Sequence, residues 1–341
     1  MKGSTSISRR RFLQTACTAG AALAVAGLAG PLPLTAFALP ASLHKEQQSR
    51  LLMGTIVTLT AATAERARAH DAFTAAFAEM ERLVAVFDRH SSTSALGVLN
   101  SQGTLAAPPA ELHSVLSRAL RLGQASEYAF NPAIAPVVDL FDRSAGALPT
   151  HKDADFQEAL GLAAPGGVQL AQHSISLERQ GMRLTLDGIA KGFIADKASE
   201  TLARHGLTDH MVNAGGDIRC SGRPAPGKLW AVGIQHPGPA RPGGLLGTAR
   251  MGNGGIATSG SYESWYDRPR GRHHLISHLT GQSADIASVT VRAANTMEAD
   301  ALATALAFMP PALALRFAAA NKASCLIADR HGRVWTSSDW I

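Results

Sequence analysis

Large apolar residues recur along this chain with two different periods. Between residues 64 and 87 they follow one another at steps of four, three, four and three, which predicts an amphipathic helix with a buried stripe. The stripe consists of Phe73, Phe77, Met80, Val84 and Phe87. Just before it, residues 51–61 alternate threonine with branched residues, as expected of a strand.

The same reasoning predicts the remaining elements. Helices are predicted at residues 109–125, 189–205, 295–309 and 311–321, with Pro109 in a first turn and Gly206 as a left-handed cap. Short strands are predicted at residues 169–177, 183–186, 211–213, 230–235, 247–251, 256–259, 274–277, 288–292, 324–328 and 334–337. Gly181 is the expected turn between the first two, and residues 145–167 are predicted to be a surface insertion. Because strands follow one another directly, the sequence predicts an α+β fold with a mostly antiparallel sheet core flanked by helices.

Composition supports a globular protein and restricts its partners. The 341 residues are 46% hydrophobic and 17% charged, which excludes collagen-like, coiled-coil and disordered chains. The net charge is +6, but four cationic residues lie within the first eleven positions, and without them the charge is +2. No basic run with interleaved aromatics remains, so a nucleic-acid partner is not expected.

The first residues have the features of an export signal. Arginines at positions 9–11 precede Phe12 and Leu13, a mild apolar run follows at residues 16–30, and residues 36–38 are small. We therefore predict a twin-arginine signal peptide over residues 1–38, a single domain over residues 39–341 and a periplasmic location. The apolar run is short for a membrane span, although an uncleaved anchor and association with the inner membrane stay open.

Only two cysteines, Cys220 and Cys325, follow the predicted signal. Two cysteines cannot make a disulfide framework, so a buried apolar role is the expectation, with pairing as the alternative.

Several common catalytic motifs are missing from the sequence. It contains no Walker loop, no dinucleotide-binding glycine fingerprint, no His-Glu-x-x-His and no nucleophile elbow. His273, His274 and His278 lie in a segment that alternates as a strand, so zinc is not predicted. One of these histidines could act as a general base, because the pKa of histidine lies near operating pH.

A second candidate site lies on the helix predicted at residues 295–309. Asn295 and Glu298 form a capping box, which places Asp300 and Thr304 one turn apart on one face. A carboxylate, a hydroxyl and a backbone carbonyl would suit Mg²⁺ and leave room for a pyrophosphate. In the alternative, favoured by spacing alone, Asp300 stabilises the helix end and Thr304 bonds its own backbone.

Glycine-rich turns are a third signal. Residues 187–192 lie at a strand-to-helix junction, where backbone N–H groups and Lys191 could bind an anion. Together with residues 213–217, 252–255 and 258–261, they indicate backbone segments converging on a large polyphosphate ligand.

With these motifs the chain resembles the ApbE family, the FAD:protein FMN transferases. Over about residues 51–309 the family's motifs occur in order: Met53-Gly54-Thr55, Ser94 with Leu99-Asn100, Asn131-Pro132, residues 187–192 with Asp196, residues 213–217, Thr258-Ser259-Gly260 and residues 297–306. The resemblance implies an ApbE-like, T-fold-like architecture. It also implies transfer of FMN from FAD to a threonine of an acceptor protein, with release of AMP and dependence on Mg²⁺.

The resemblance further implies roles for individual residues. The magnesium ligands would be Asp300, Thr304 and the carbonyl oxygen of Ala190. His274 would take the proton of the threonine, and Lys191 would neutralise charge on the pyrophosphate. The FAD site would include Met53, Ser94, Asp187, Lys191, Gly215, Gly216, Thr258, Ser259 and Gly260.

The chain departs from the family pattern at four positions. Ser277 and His278 replace Asp and Pro after the histidine, Asn131 stands where Asp is frequent, and His90 where an aromatic is frequent. These changes affect the acceptor side of the expected site more than the FAD side, and His278 could share the base role.

The acceptor is expected to be a subunit of a respiratory or electron-transfer complex. Two alternatives stay open: an FAD pyrophosphatase, and a non-catalytic FAD-binding maturation factor.

Overall fold

A single antiparallel sheet forms the centre of the molecule. The computed structural model describes residues 43–144, 149–150, 152–237, 244–261, 265–267, 272–277 and 280–340. Within them, every neighbouring pair of strands in the main sheet is antiparallel. The order across it is β1 (His44–Leu52), β2 (Thr55–Thr63), β6 (His210–Ala214), β7 (Asp217–Ser221), β10 (Gly254–Gly260), β13 (Ile286–Ala293), β14 (Ser324–Asp329) and β15 (Val334–Thr336).

Small sheets and helices surround this sheet. The small sheets are formed by β3 (Thr104–Ala106), β5 (Ser174–Leu177) and β4 (Val168–Ala171), by β8 (Trp230–Gln235) and β9 (Leu245–Met251), and by β11 (Trp265–Asp267) and β12 (Arg272–His273). The helices are α1 (Arg66–Phe87), α2 (Ala95–Gln102), α3 (Ala110–Ala125), α4 (Ala135–Arg143), α5 (Ala154–Leu162), α6 (Ala190–Arg204), α7 (Thr296–Leu306) and α8 (Pro311–Ala320). The predicted α+β class with an antiparallel sheet is confirmed.

The largest core lies between the sheet and the helices α1, α6 and α7. Phe77 and Met80 of the predicted stripe are completely buried, and Phe87 meets Phe193 of α6 edge to face at 5.7 Å. Burying each such side chain contributes about 1.5–3 kcal/mol, so the stripe holds α1 on the α6 layer. Helix α6 in turn packs on α7, which lies against β10 and β13.

The segment predicted as one strand over residues 51–61 is a hairpin. Strand β1 ends at Leu52, and β2 begins at Thr55. Met53 and Gly54 between them have φ angles of 54° and 71°, both left-handed, as in a two-residue hairpin turn. Methionine rarely adopts this conformation, so the sequence carried no strong turn signal and β1 was missed.

The strands predicted at residues 169–177 and 183–186 are also rearranged. The first is itself the hairpin of β4 and β5, and Gly181 does not join two strands. The second stays outside the sheets because other partners satisfy its backbone. Asn100 accepts from Leu184 N–H at 2.7 Å and donates to the Leu184 carbonyl at 2.8 Å.

Two further predictions need correction. The predicted surface insertion at residues 145–167 contains α5, whose Phe156 is buried and packs edge to face on Phe141 at 5.9 Å. The strand predicted at residues 274–277 is replaced by a short hairpin loop after β12, in which Ile276 pairs with Ser283.

One compact unit of the chain contains both cysteines that follow the predicted signal. Residues Ser42–Ile341 form one compact unit, and the predicted signal over residues 1–38 lies outside the described residues. In the described part, no helix combines the length and apolar character needed to span a bilayer. Cys220 and Cys325 are both buried and free, which confirms the apolar role expected of them.

Candidate active site

Helices α6 and α7 are locked together at their N-termini, where the predicted site begins. Asn295 caps α7 by accepting from Glu298 N–H at 2.9 Å, as the capping box predicts. Asp196 of α6 accepts from the backbone N–H groups of Thr296 and Met297, each at 2.9 Å. A carboxylate at this positive helix end is favourable, and here it comes from the neighbouring helix.

The Glu298 side chain does not close the capping box. It forms a two-pronged ion pair with Arg118 of α3, at 2.7 and 2.6 Å. Thus α7, which carries Asp300 and Thr304, is held in place from both α3 and α6.

Asp300 lies at the contact between α6 and α7. It is only 5% exposed, and its Oδ2 accepts a hydrogen bond from Gly192 N–H at 3.0 Å. A Cβ atom at Gly192 would lie 2.4 Å from the Thr296 carbonyl oxygen, so the helices can approach this closely only at a glycine.

Thr304 follows one turn later and meets two other predicted segments. Its hydroxyl oxygen lies 3.3 Å from Ser259 Oγ on β10. A Cβ atom at Gly188 would lie 2.7 Å from the same oxygen. Beside Ser259, the Thr258 and Thr290 hydroxyls lie 2.9 Å apart across β10 and β13, and Gly260 ends β10. The structure therefore brings Gly188 and Ser259 to the face of α7 that carries the predicted magnesium ligands, whereas Thr258, the neighbour of Ser259 on β10, points to the other face of the sheet.

The charges around Asp300 favour a cation. Burial and the nearby negative charge of Asp217 raise the pKa of Asp300 well above its ordinary value, and Lys191 opposes that rise. Lys191 Nζ lies 3.2 Å from Asp217 Oδ2. The ionised form of Asp300 is therefore disfavoured by its surroundings, and a bound cation would favour that form.

The predicted donor set fits Mg²⁺ in its chemistry. Asp300 and Thr304 are one turn apart, as predicted, and Ala190 is the buried first residue of α6. Carboxylate, hydroxyl and carbonyl oxygens are the hard ligands that Mg²⁺ prefers, and it commonly keeps other positions for phosphate. Only one of these predicted ligands is a carboxylate, and among the residues that the structure describes no group of three or more acidic residues, histidines or cysteines is placed to hold a metal ion.

His274 borders a cavity that Thr304 also lines. This half-buried side chain lines a space of about 80 Å³ together with Gly188, Thr304, Asn131 and Phe308. The predicted base and a predicted magnesium ligand therefore border the same space. His278, the predicted alternative, lies outside the described residues.

The neighbouring His273 supports this loop from inside. It is 1% exposed, and its Nε2–H donates to the Ala284 carbonyl at 2.9 Å. Burial lowers the pKa of His273 to about 4. His273 is thus a neutral structural residue, and His274 is the one that reaches the cavity.

The glycine turn between β6 and β7 leaves an open face. Gly215 and Gly216 have φ angles of 72° and 107°. A Cβ at Gly215 would lie 2.4 Å from Thr55 Oγ1, which places the Met53 hairpin next to this turn, whereas a Cβ at Gly216 would meet nothing within 4 Å. Gly216 N–H donates to Asn213 Oδ1 at 2.9 Å, so the turn is rigid as well as accessible.

Asp187 is held by a residue that the motifs did not identify. Its carboxylate is 67% exposed and accepts from Arg89 Nε at 3.1 Å. Arg89 is only 7% exposed and also binds Asp139 at 2.5 Å. Only the position of Arg89 just before the Ser94 motif could have drawn attention to it.

Ser94 occupies a structural position in the described contacts. Its buried hydroxyl caps α2 by accepting from Gly97 N–H at 2.9 Å and donates to the Asp88 carbonyl at 2.5 Å. Contact with FAD stays a prediction for this residue.

The model of the ApbE family matches residues 53–327, a range that contains every predicted site residue. The chain belongs to the ApbE family. The match confirms the resemblance that the sequence motifs indicated. The chain is therefore an enzyme of a family of flavin transferases.

Curated relatives and solved structures agree with this membership. A protein of Treponema pallidum named FAD:protein FMN transferase is 33% identical over 78% of this chain and 79% of its own length. One of Haemophilus influenzae with the same name is 27% identical over 76% and 78%. The flavin transferase ApbE of Vibrio cholerae superposes with a TM-score of 0.76 at 24% identity, covering 87% of this chain and 98% of that one. The ApbE protein of Thermotoga maritima gives 0.79 at 22%, covering 86% and 97%, and both structures support the fold.

Proposed function

We propose that this enzyme transfers FMN from FAD to a threonine hydroxyl of an acceptor protein, releases AMP and requires Mg²⁺. One observation carries the proposal: His274 and Thr304 border the same cavity, which is also lined by Gly188 of the turn predicted to bind an anion. A base, a metal ligand and backbone N–H groups would then surround one phosphate. The names of the curated relatives support the flavin substrate and the protein acceptor.

The reaction forms one phosphorus–oxygen bond and breaks another. His274 takes the proton of the threonine hydroxyl, whose oxygen attacks the phosphorus joined to riboflavin. The pyrophosphate bond breaks, and AMP leaves with the bridging oxygen. Lys191, held beside Asp217, offsets negative charge that develops on the phosphates.

The chain's own residues would hold the metal and the dinucleotide. Asp300, Thr304 and the Ala190 carbonyl would bind Mg²⁺, which stabilises negative charge on the pyrophosphate when bound. The open face of Gly216 allows the dinucleotide to approach the backbone closely. Asp187, held by Arg89, would accept a hydrogen bond from FAD.

The decisive experiment is transfer to a defined acceptor. The full chain is incubated with FAD, Mg²⁺ and a domain that carries one modifiable threonine, and FMN on that domain is measured by intact mass together with free AMP. Modified acceptor with matching AMP supports the transferase. FMN and AMP released without modification would favour a pyrophosphatase, and tight FAD binding without AMP would favour a maturation factor that only binds FAD.

We also propose that the enzyme acts in the periplasm after twin-arginine export, on a subunit of a respiratory or electron-transfer complex. The arginines at positions 9–11 support this export route and location. Replacing Arg9 and Arg10 with lysine should retain the protein in the cytoplasm, as cell fractionation would show. Unchanged periplasmic protein would contradict the proposed route.

A further inference from the structure

A groove lies beside the predicted active site and is separate from the cavity of His274. Its volume is about 650 Å³, within the range of pockets that hold ligands, about 300–1,000 Å³. It is lined on one part by Ser277, Thr280 and residues 282–286, and on another by residues 307–311, where α7 ends and α8 begins. The β14–β15 hairpin forms the floor, with Arg333 and Trp335.

The groove adjoins the cavity of His274, although the two spaces are distinct. Phe308 lines both the groove and the cavity of His274. The hairpin after His274 lies between the two spaces and is closed by hydrogen bonds from Ser277 N–H to the Gln282 carbonyl and from Ala284 N–H to the Leu275 carbonyl, both at 2.9 Å. Leu275 faces the cavity, and Gln282 faces the groove. A segment bound in the groove would therefore be separated from the cavity of His274 only by Phe308 and this hairpin.

The lining suits an uncharged polypeptide segment. One wall offers hydroxyl and amide groups from Ser277, Thr280, Gln282 and Ser283. The opposite wall is apolar and includes Met309, Pro310 and Pro311. Polar groups on one side and apolar surface on the other match the backbone and the side chains of an extended peptide.

The charged groups of the groove are paired within the protein. Arg333 Nε donates to Asp329 Oδ2 at 2.6 Å, and its guanidinium lies 5.3 Å from the centre of the Trp335 ring. Asp285 is paired with Arg330. Each of these arginines is matched by a carboxylate, so the four side chains carry no net charge and the lining favours a neutral segment over a phosphate or an anionic lipid surface.

We propose that this groove binds the segment of the acceptor protein adjacent to the modified threonine. The inference rests on the proposed function, since it names the path by which the acceptor reaches His274. Within the groove, the hydroxyl and amide wall pairs with the backbone of the segment, and the threonine passes Phe308 into the cavity.

Blocking the groove tests the proposal. Gln282→Arg places a long charged side chain in it, while both backbone hydrogen bonds of Gln282 remain available, and Gln282→Ala leaves it open. With the full chain, FAD and Mg²⁺, the KM for a purified acceptor domain should rise at least tenfold in Gln282→Arg and less than threefold in Gln282→Ala. The KM for FAD should stay within twofold in both variants.

A matched change elsewhere provides the control. Gln102→Arg introduces the same side chain at the exposed last residue of α2 and should behave like the wild type. An unchanged acceptor KM in Gln282→Arg, or an equal rise in Gln102→Arg, would overturn the proposal. If the wild type itself modifies no acceptor and releases no AMP, the proposed function has failed instead.

A binding measurement separates docking from chemistry. A fluorescent peptide that spans the acceptor site, with its threonine replaced by valine, cannot react. Its anisotropy should report binding to the wild type and to Gln102→Arg, and at least tenfold weaker binding to Gln282→Arg. Equal binding to all three, or no binding to a wild type that modifies the whole domain, would exclude this groove as the site of the segment.

Discussion

The carboxylate of Asp300 accepts a hydrogen bond from the backbone of Gly192, a residue 108 positions earlier in the chain. This bond joins the helix of the predicted magnesium ligands to the helix that carries Lys191. One oxygen of Asp300 is therefore fixed by the fold, and the carboxylate is oriented before any ligand binds.

Asp300→Asn should separate the chemistry of this residue from its structural role. The amide keeps an oxygen for Gly192 N–H but loses the charge that Mg²⁺ would need, so we expect transfer to fall by about 100-fold or more. The free energy of unfolding should be unchanged or about 1 kcal/mol higher, because a buried neutral group needs no counter-charge. Calorimetric Mg²⁺ titration and urea unfolding measure the two effects. Full activity in this variant would remove Asp300 from the metal site.

Gly192→Ala should destabilise the protein. The new Cβ would lie 2.4 Å from the Thr296 carbonyl oxygen, so α6 and α7 must move apart, at a cost of about 1–3 kcal/mol. Gly161→Ala in α5 is the matched control, because its Cβ meets nothing within 4 Å and alanine favours a helix by about 0.5–1 kcal/mol. Urea unfolding of both variants should give shifts of opposite sign, and equal shifts would contradict the close approach of the helices.

His274→Gln should bind FAD as the wild type does but lose transfer. Removing a general base typically lowers the rate by about 10²–10⁴. FAD binding followed by flavin fluorescence should change less than twofold, since His274 is assigned to proton transfer and not to the predicted FAD site. Unaltered transfer would assign the base role to another group, with His278 the first to test.

Arg89→Lys should weaken FAD binding by loosening Asp187. Lysine keeps the charge between Asp139 and Asp187 but cannot donate to both in the fixed geometry of a guanidinium. We expect the KM for FAD to rise about tenfold while kcat changes much less. If kcat fell and the KM for FAD stayed constant, Asp187 would act in the chemical step instead.

The stability that His210 contributes should depend on pH. His210 is completely buried, its Nδ1–H donates to the Leu207 carbonyl at 2.6 Å, and its Nε2 accepts from the Ser199 hydroxyl at 2.6 Å. Burial lowers the pKa of His210 to about 4, from 6.5. Above pH 6.5 the His210 side chain is neutral in both the folded and the unfolded state. Between pH 6.5 and 4 only the unfolded state binds a proton at His210, so the protein loses stability as the pH falls.

His210→Gln isolates this effect, because the other titrating groups cancel in the comparison with the wild type. The difference in unfolding free energy between the wild type and His210→Gln should be constant above pH 7. It should decrease by about 1–3 kcal/mol as the pH is lowered to 4. Urea unfolding at several pH values measures the difference. A constant difference over this range would mean that His210 is not held neutral.

Periodic patterns predicted most helices and many strands, whereas turns caused most errors. Helices α1, α6 and α7 carry regular apolar positions and end at recognisable residues such as Gly206. The β1–β2 hairpin was missed because Met53 supplies its left-handed turn, and the segment around Leu184 looked like a strand because Asn100 satisfies its backbone as a strand partner would. Local sequence does not reveal a partner 84 residues away.

The candidate site shows the same limit. Spacing placed Asp300 and Thr304 on one face, while close approach of a ligand to the glycine turns stays a prediction. The partners of Arg89 and Asp196 could not be predicted, because each side chain binds a residue that only the fold brings close to it. The groove at Phe308 is likewise formed by segments that are separate in sequence, and no local pattern marks it.

The bond between Asp300 and Gly192 also determines when the site can exist. Gly192 and Asp300 are 108 positions apart, so a ribosome must synthesise the whole intervening segment before the predicted magnesium ligands can meet α6. Contacts between such distant segments form late in folding, because their loops are costly to close. A nascent chain that stops before α7 would therefore lack the proposed metal site, and binding of the metal would indicate that α6 and α7 have met.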